Sequence, residues 1–253
     1  MNDKLKELYA RRWSVIRKKL LSFNSENLSN EKHRATNPLL IRTNKDYEKA
    51  KLKIMFFGQE TNTWGRVFGM SNVFDNKSKM KNILDGYESF YLNQGSKKYG
   101  RAFWNFVERL KNTKTNQKAE YLWNNVFKIG KCEIGTPPDD IINDTFEHFN
   151  VIQKEIEILK PDVLLFFSGP NYDEFIRQSV GAFRRSQIDD EFSEKELCKL
   201  DFRNGLPIKL ALRSYHPEHL RFKNKKYKDR LFKKIEKILQ TDPALNKKQK
   251  TKK

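Results

Sequence analysis

Four short stretches end in side chains able to act on a polar group. "KIMFFGQE" delivers Gln59 and Glu60 at the end of an apolar run, "YLWNNVFKIG" carries Asn124 and Asn125, "DVLLFFSGPN" gives Ser168, Gly169 and Asn171, and "SYHPEHL" presents His216. An apolar run of about four to eight residues closed by glycine reads as a buried strand entering a turn, where polar side chains are offered rather than packed. Gathered at one place, a carboxylate, an amide and an imidazole make a proton-transfer and hydrogen-bonding set for one small polar group. Asparagine within an otherwise apolar strand needs partners for its donors and acceptors. His216 and His219 have a metal-ligand spacing, but no third ligand stands at a convincing distance in sequence, so no metal is expected. "GQETNTWG" lacks the lysine and following serine or threonine of a phosphate loop, which argues against nucleotide hydrolysis; no cofactor is expected.

The elements that must position these residues alternate. Apolar strands at "KIMFFG", "YLWNNVFKIG", "DVLLFFSG" and "LPIKLALRSYHP" are separated by helical stretches. Such alternation predicts an α/β fold, three layers deep, with a central mainly parallel four-stranded sheet. Ligands of open parallel sheets bind beyond the carboxyl ends of the strands, where the four candidates lie. Phe146, Phe149, Ile152, Ile156 and Leu159 form one face of a long helix that Lys160 and Pro161 end. A last helix follows Asn224, with Leu231, Ile235 and Ile238 inward. Ahead of the sheet, Leu5, Tyr9, Trp13, Ile16 and Leu20 make an N-terminal helix that ends near Leu21. The expected division is this helix and a polar connection over 1–46, the main domain over 47–240, and a basic disordered tail over 241–253.

The chain of 253 residues has 51 Lys and Arg against 32 Asp and Glu, a net charge of +19. That balance predicts a polyanionic partner. No apolar stretch reaches the roughly 18 residues of a membrane span and the N-terminus lacks a signal-peptide centre, so a soluble cytoplasmic protein with no membrane partner is expected. Cys132 and Cys198 are the only cysteines, too few for a disulfide framework, a four-cysteine zinc site or a cysteine-ligated iron–sulfur cluster.

The strings "FFGQETNT", "YLWNNV", "KPDVLLFFSG" and "HPEHL", in that order over roughly 51 to 239, resemble the motifs of the uracil-DNA glycosylase superfamily. The first keeps Gly58 and Gln59 of the family's Gly-Gln-Asp-Pro-Tyr-His and carries Glu60 in place of the aspartate. The second puts Asn124 at the base-reading position of Leu-Leu-Leu-Asn-x-Val, and the last retains His216, Pro217 and Leu220 of His-Pro-Ser-Pro-Leu.

The resemblance implies a monomeric DNA glycosylase that uses water and leaves an abasic site. Its transition state carries positive charge on the sugar and negative charge on the departing base. Glu60 would stabilise the sugar cation and orient water, and His216 would donate to a base oxygen. Gln59, Asn124 and Asn62 would contact the base, with Trp64, Phe68 or Phe74 as the aromatic platform. Leu220 would be the wedge that fills the gap left by the flipped nucleotide, in single- or double-stranded DNA. Ser168, Arg221, Lys223, Lys225 and Lys226 would hold phosphates.

Where the family has Pro-Tyr-His, this chain has Thr61, Asn62 and Thr63. The missing tyrosine is the side chain that excludes groups at pyrimidine C5, so the resemblance points to a C5-modified base, such as the glucosylated hydroxymethylcytosine of phage DNA, and to antiviral defence. Uracil or damaged-base repair is the alternative substrate class. A catalytically silent nucleic-acid-binding protein and a metal-dependent nuclease built on Glu60, Asp162 and His216 are the alternative functions; for the latter, Asp162 begins a strand and belongs at the opposite end of the sheet from Glu60.

Overall fold

A computed structural model describes residues 1–69, 79–219 and 224–246. In chain order the elements are α1 (Asn2–Glu26), α2 (Lys45–Lys49), β1 (Leu52–Gly58), α3 (Lys79–Tyr87), α4 (Ala102–Lys111), β2 (Ala119–Asn125), α5 (Asp139–His148) and α6 (Ile152–Leu159). They continue with β3 (Val163–Phe167), α7 (Asp173–Val180), β4 (Phe183–Gln187), β5 (Leu197–Phe202), β6 (Leu210–Ser214), α8 (Lys225–Thr241) and α9 (Pro243–Asn246). None of the described helices is long and apolar enough to cross a membrane.

The fold is α/β, and its sheet has six strands rather than the four expected, in the order β2-β1-β3-β6-β5-β4. The four expected strands are mutually parallel; β5 and β4 extend the sheet antiparallel beyond β6. "FRRSQ" reads poorly as a strand because β4 is the edge, where Arg184 and Arg185 are exposed. β1 and β3 are continuous apolar runs because helices cover both faces, the normal condition of parallel strands. On one face Phe56 meets Tyr91 and Trp104, and Phe167 meets Phe103 and Phe106. On the other, Glu155 of α6 bonds Asn124 of β2, and Asp173 of α7 bonds Arg213 of β6.

The long helix expected through Leu159 is two helices, because α5 stops at His148 and Phe149 leaves the helical conformation. Phe149 stays fully buried, so the apolar period continues across a break it does not reveal. Asn150 at the break donates to the Gln178 carbonyl, an outside partner that competes with continued helix. Lys160 then closes α6 in the left-handed conformation ahead of Pro161.

Helix α1 runs past Leu21 to Glu26 and lies on α5 and α6 with Leu5, Tyr9, Ile16 and Leu20 buried. The segment expected as a polar connection buries Ala35, Leu39, Leu40 and Ile41 in the same hydrophobic core. Thr36 and Leu39 donate their backbone N–H groups to Gly130 and Lys128, which ties this segment to the loop after β2. At the C-terminal end Asn224 caps α8 by accepting from the Tyr227 N–H at 2.8 Å. Residues 243–246 of the expected disordered tail form α9, with Leu245 buried; residues 247–253 lie outside the described residues.

Candidate functional site

Strands β1 and β2 end in register, Phe57 opposite Asn124 and Gly58 opposite Asn125. Successive strand side chains point to opposite faces, so Trp123 and Asn125 share one face and Asn124 takes the other. Over the carboxyl ends of the strands, on the Trp123 and Asn125 side, opens a cavity of about 650 Å³. Its lining brings together Gln59, Glu60, Asn62, Trp64 and His216, along with Asn125, Phe90, Phe103, Trp104 and Trp123.

Glu60 follows β1 and is half-buried. Tyr172, on the turn before α7, donates its hydroxyl to Glu60 Oε2 at 2.6 Å. Burial raises the Glu60 pKa above the usual carboxylate value; the Tyr172 hydroxyl, the Gly135 amide and the Lys131 charge offset part of that rise. Tyr172 has its own acidity suppressed by burial and by Glu60, so it remains a donor. The Tyr172 hydroxyl and the Gly135 amide thus fix the orientation of the Glu60 carboxylate at the cavity.

His216 follows β6 and stacks face to face on Phe103, with ring centroids 5.2 Å apart. Burial, helped by His219, lowers its pKa to about 4, so the ring is neutral at neutral pH. Nδ1 accepts the Glu218 backbone N–H at 3.2 Å. The proton of the neutral ring therefore sits on Nε2, which becomes a fixed hydrogen-bond donor. Glu218 in turn accepts the Ala102 N–H at the start of α4, joining the His216 turn to the helix that carries Phe103 and Trp104.

Gln59 lines the cavity, and its Nε2 donates to the Ser168 carbonyl at 2.8 Å, which ties the end of β1 to the end of β3. Trp64, Phe90, Trp104 and Trp123 pack edge to face around the cavity, with centroids 4.9 to 5.6 Å apart in the successive contacts. The Thr61–Arg66 loop forms the rim. Thr61 is buried, its hydroxyl 3.1 Å from that of Thr36, while Asn62 is exposed. Thr63 and Arg66 hold φ angles of 51° and 59°, unusual for side chains with a Cβ and a strain of about 1–3 kcal/mol each. The Asn37 amide on the Gly65 carbonyl at 2.8 Å helps to hold this shape.

Three expected positions are corrected. Asn124 is fully buried on the far face: its Nδ2 donates to Glu155 at 2.8 Å, and its Oδ1 accepts from Lys128 at 2.8 Å and from the Asn125 N–H. It does not line the cavity, and Asn125, one residue on, does. Phe68 is core, edge-on to Trp13 of α1, rather than a platform. Ser168 is buried with its hydroxyl unbonded among the described residues, not presented to a phosphate. Lys225 and Lys226 are exposed in the first turn of α8. Phe74, Leu220, Arg221 and Lys223 lie outside the described residues. Asp162 accepts the Lys53 N–H where β1 begins, at the opposite end of the sheet from Glu60.

Sequence reasoning overlooked Phe103, Trp104, Trp123 and Tyr172, and named Asn125 as a strand-end candidate but gave the base-reading role to Asn124. For Asn125 the strand alternation, which pairs it with Trp123, was an available signal; nothing local marks Tyr172. A comparison of the chain with protein-family models returns no match, and neither does a search of curated proteins.

Proposed function

We propose that the protein is a DNA glycosylase that hydrolyses the N-glycosidic bond of a flipped-out pyrimidine and leaves an abasic site. The observation that carries this reading is the pairing, across one cavity, of a tethered carboxylate with a neutral histidine whose Nε2 is a donor. Glycosidic cleavage needs those two at opposite ends of the bond: Glu60 to stabilise the cationic sugar and orient water, His216 to donate to the base carbonyl as it gains charge. Phe103, which carries His216 on its face, and the tryptophans beside it supply apolar walls for a flat ring.

The substrate is a pyrimidine with a bulky C5 group, glucosylated hydroxymethylcytosine in phage DNA being the leading case, and the role is antiviral. The cavity is several times larger than a bare pyrimidine needs, and its rim at Asn62 is open. Exposed Lys225 and Lys226, on a chain of net charge +19, favour a DNA backbone as partner.

The test is incubation without divalent metal with oligonucleotides carrying uracil, hydroxymethylcytosine or its glucosylated form, followed by alkali. Strand breakage appearing only after alkali, and lost in Glu60→Gln and His216→Ala, is the expected result. Binding without product would indicate a silent binder, magnesium-dependent breakage before alkali would indicate a nuclease, and wild-type excision by both variants would remove these residues from the mechanism.

A further inference from the structure

The aromatic wall of the cavity runs further than one base. It starts at the His216 ring stacked on Phe103 and passes edge to face to Trp104, Phe90 and Tyr99, with successive centroids 5.1 to 5.8 Å apart. Tyr99 is the outer end: it lines the same cavity as Glu60 and His216, yet 53% of it is exposed. A large aromatic kept exposed at a cavity mouth marks a contact surface. Gly100 follows in the left-handed conformation, φ 62°, and the turn it makes brings the Arg101 guanidinium to 6.0 Å from the Tyr99 ring centroid. Arg101 also lines the cavity and pairs with no carboxylate among the described residues. Ser89, beside Phe90, adds a hydroxyl that has no hydrogen-bond partner among the described residues.

Resting on the glycosylase reading, we propose that Tyr99, Arg101 and Ser89 form a hexose subsite for a sugar carried at pyrimidine C5. With the base held between Glu60 and His216, a one-carbon group at C5 falls short of Tyr99, which stands two ring contacts beyond Trp104. A pyranose bridges that gap and matches the wall in kind. Its face of C–H groups lies on the Tyr99 ring, and its rim of hydroxyls accepts from the Arg101 guanidinium and exchanges hydrogen bonds with Ser89. An anionic C5 group fits less well, because the carboxylates of Glu60 and Glu218 line the same cavity. The lining is continuous from Glu60 to Tyr99, which assigns Tyr99 to the nucleotide inside the cavity rather than to its neighbour in the strand. The stack and the Arg101 hydrogen bond are each worth about tenfold in kcat/KM.

The test uses oligonucleotides that differ only in carrying 5-hydroxymethylcytosine or its glucosylated form, and reads the ratio of their kcat/KM values. Wild type prefers the glucosylated member. Tyr99→Ala and Arg101→Ala each lower the ratio about tenfold, whereas Tyr99→Phe, which keeps the ring, keeps the ratio. A loss of fold would slow both members and leave the ratio where it was. Equal excision of the pair or a hydroxymethyl preference in wild type overturns the subsite, as does a ratio unchanged in Tyr99→Ala or lowered as far in Tyr99→Phe as in Tyr99→Ala. Failure to excise any base defeats the glycosylase reading by itself. The subsite is then decided by tryptophan-fluorescence titration with 5-hydroxymethyl-dCMP and its glucosylated form: tighter binding of the glucosylated nucleotide, lost in a Tyr99→Ala variant of wild-type circular dichroism, sustains it, and equal or absent binding overturns it.

Discussion

Glu60 sits where burial disfavours its charge, so folding binds a proton to it more tightly than the unfolded chain does. Above the folded pKa both states are ionised and the folded one bears the full cost; the cost fades as pH falls through that pKa and is gone below the unfolded value. Glu60→Gln is therefore expected to raise the melting temperature at neutral pH, with a gain that disappears in acid, read by calorimetry between about pH 4 and pH 8. An unchanged melting temperature at neutral pH would contradict the burial argument. In the proposed excision reaction, the same shift should move the acid limb of the rate above the ordinary glutamate range. His216, lowered to about 4, adds no inflection near the ordinary histidine value of about 6.5. His216→Ala should lower the rate and leave the limb where it is; a limb that moves would mean that the imidazole titrates.

At the scale of the element, the end of β2 is a partition: Asn125 faces the cavity while Asn124 joins a buried network of Lys128, Glu155 and Tyr9. Lys128 and Glu155 are essentially inaccessible to solvent, so removing one leaves the other charged and alone. Lys128→Met should cost about 3–5 kcal/mol in denaturant unfolding, and Lys128→Met with Glu155→Leu should recover only part of it, because Asn124 then loses its partners on both charged residues. A single variant as stable as wild type would show that the pair is dispensable. The parallel strands were readable because continuous apolar runs have few other uses, and α8 because Asn224 announces it. β4 was not, since an arginine-bearing edge strand lacks the apolar signal that marks a central one, nor was β5, whose run is interrupted by Lys199 and Asp201. Asn124 was chosen over Asn125 because a motif gives an order of residues while the pleat decides their faces. Tyr172 lies 112 residues from Glu60, a meeting that topology alone arranges.

For the whole molecule, the net charge of +19 should make the proposed nucleic-acid binding strongly salt-dependent. Each of Lys225→Ala and Lys226→Ala should reduce the slope of log affinity against log salt by about one without altering which base is excised. A slope that neither variant changes would remove α8 from the contact. A final consequence follows from β6, which lies between β3 and β5 although it is the last strand made. During synthesis β3 and β5 emerge with facing edges and nothing between them, so the sheet cannot close until residues 210–214 have left the ribosome. His216 follows those residues by two positions. A nascent or prematurely ended chain therefore lacks the closed sheet and His216 together.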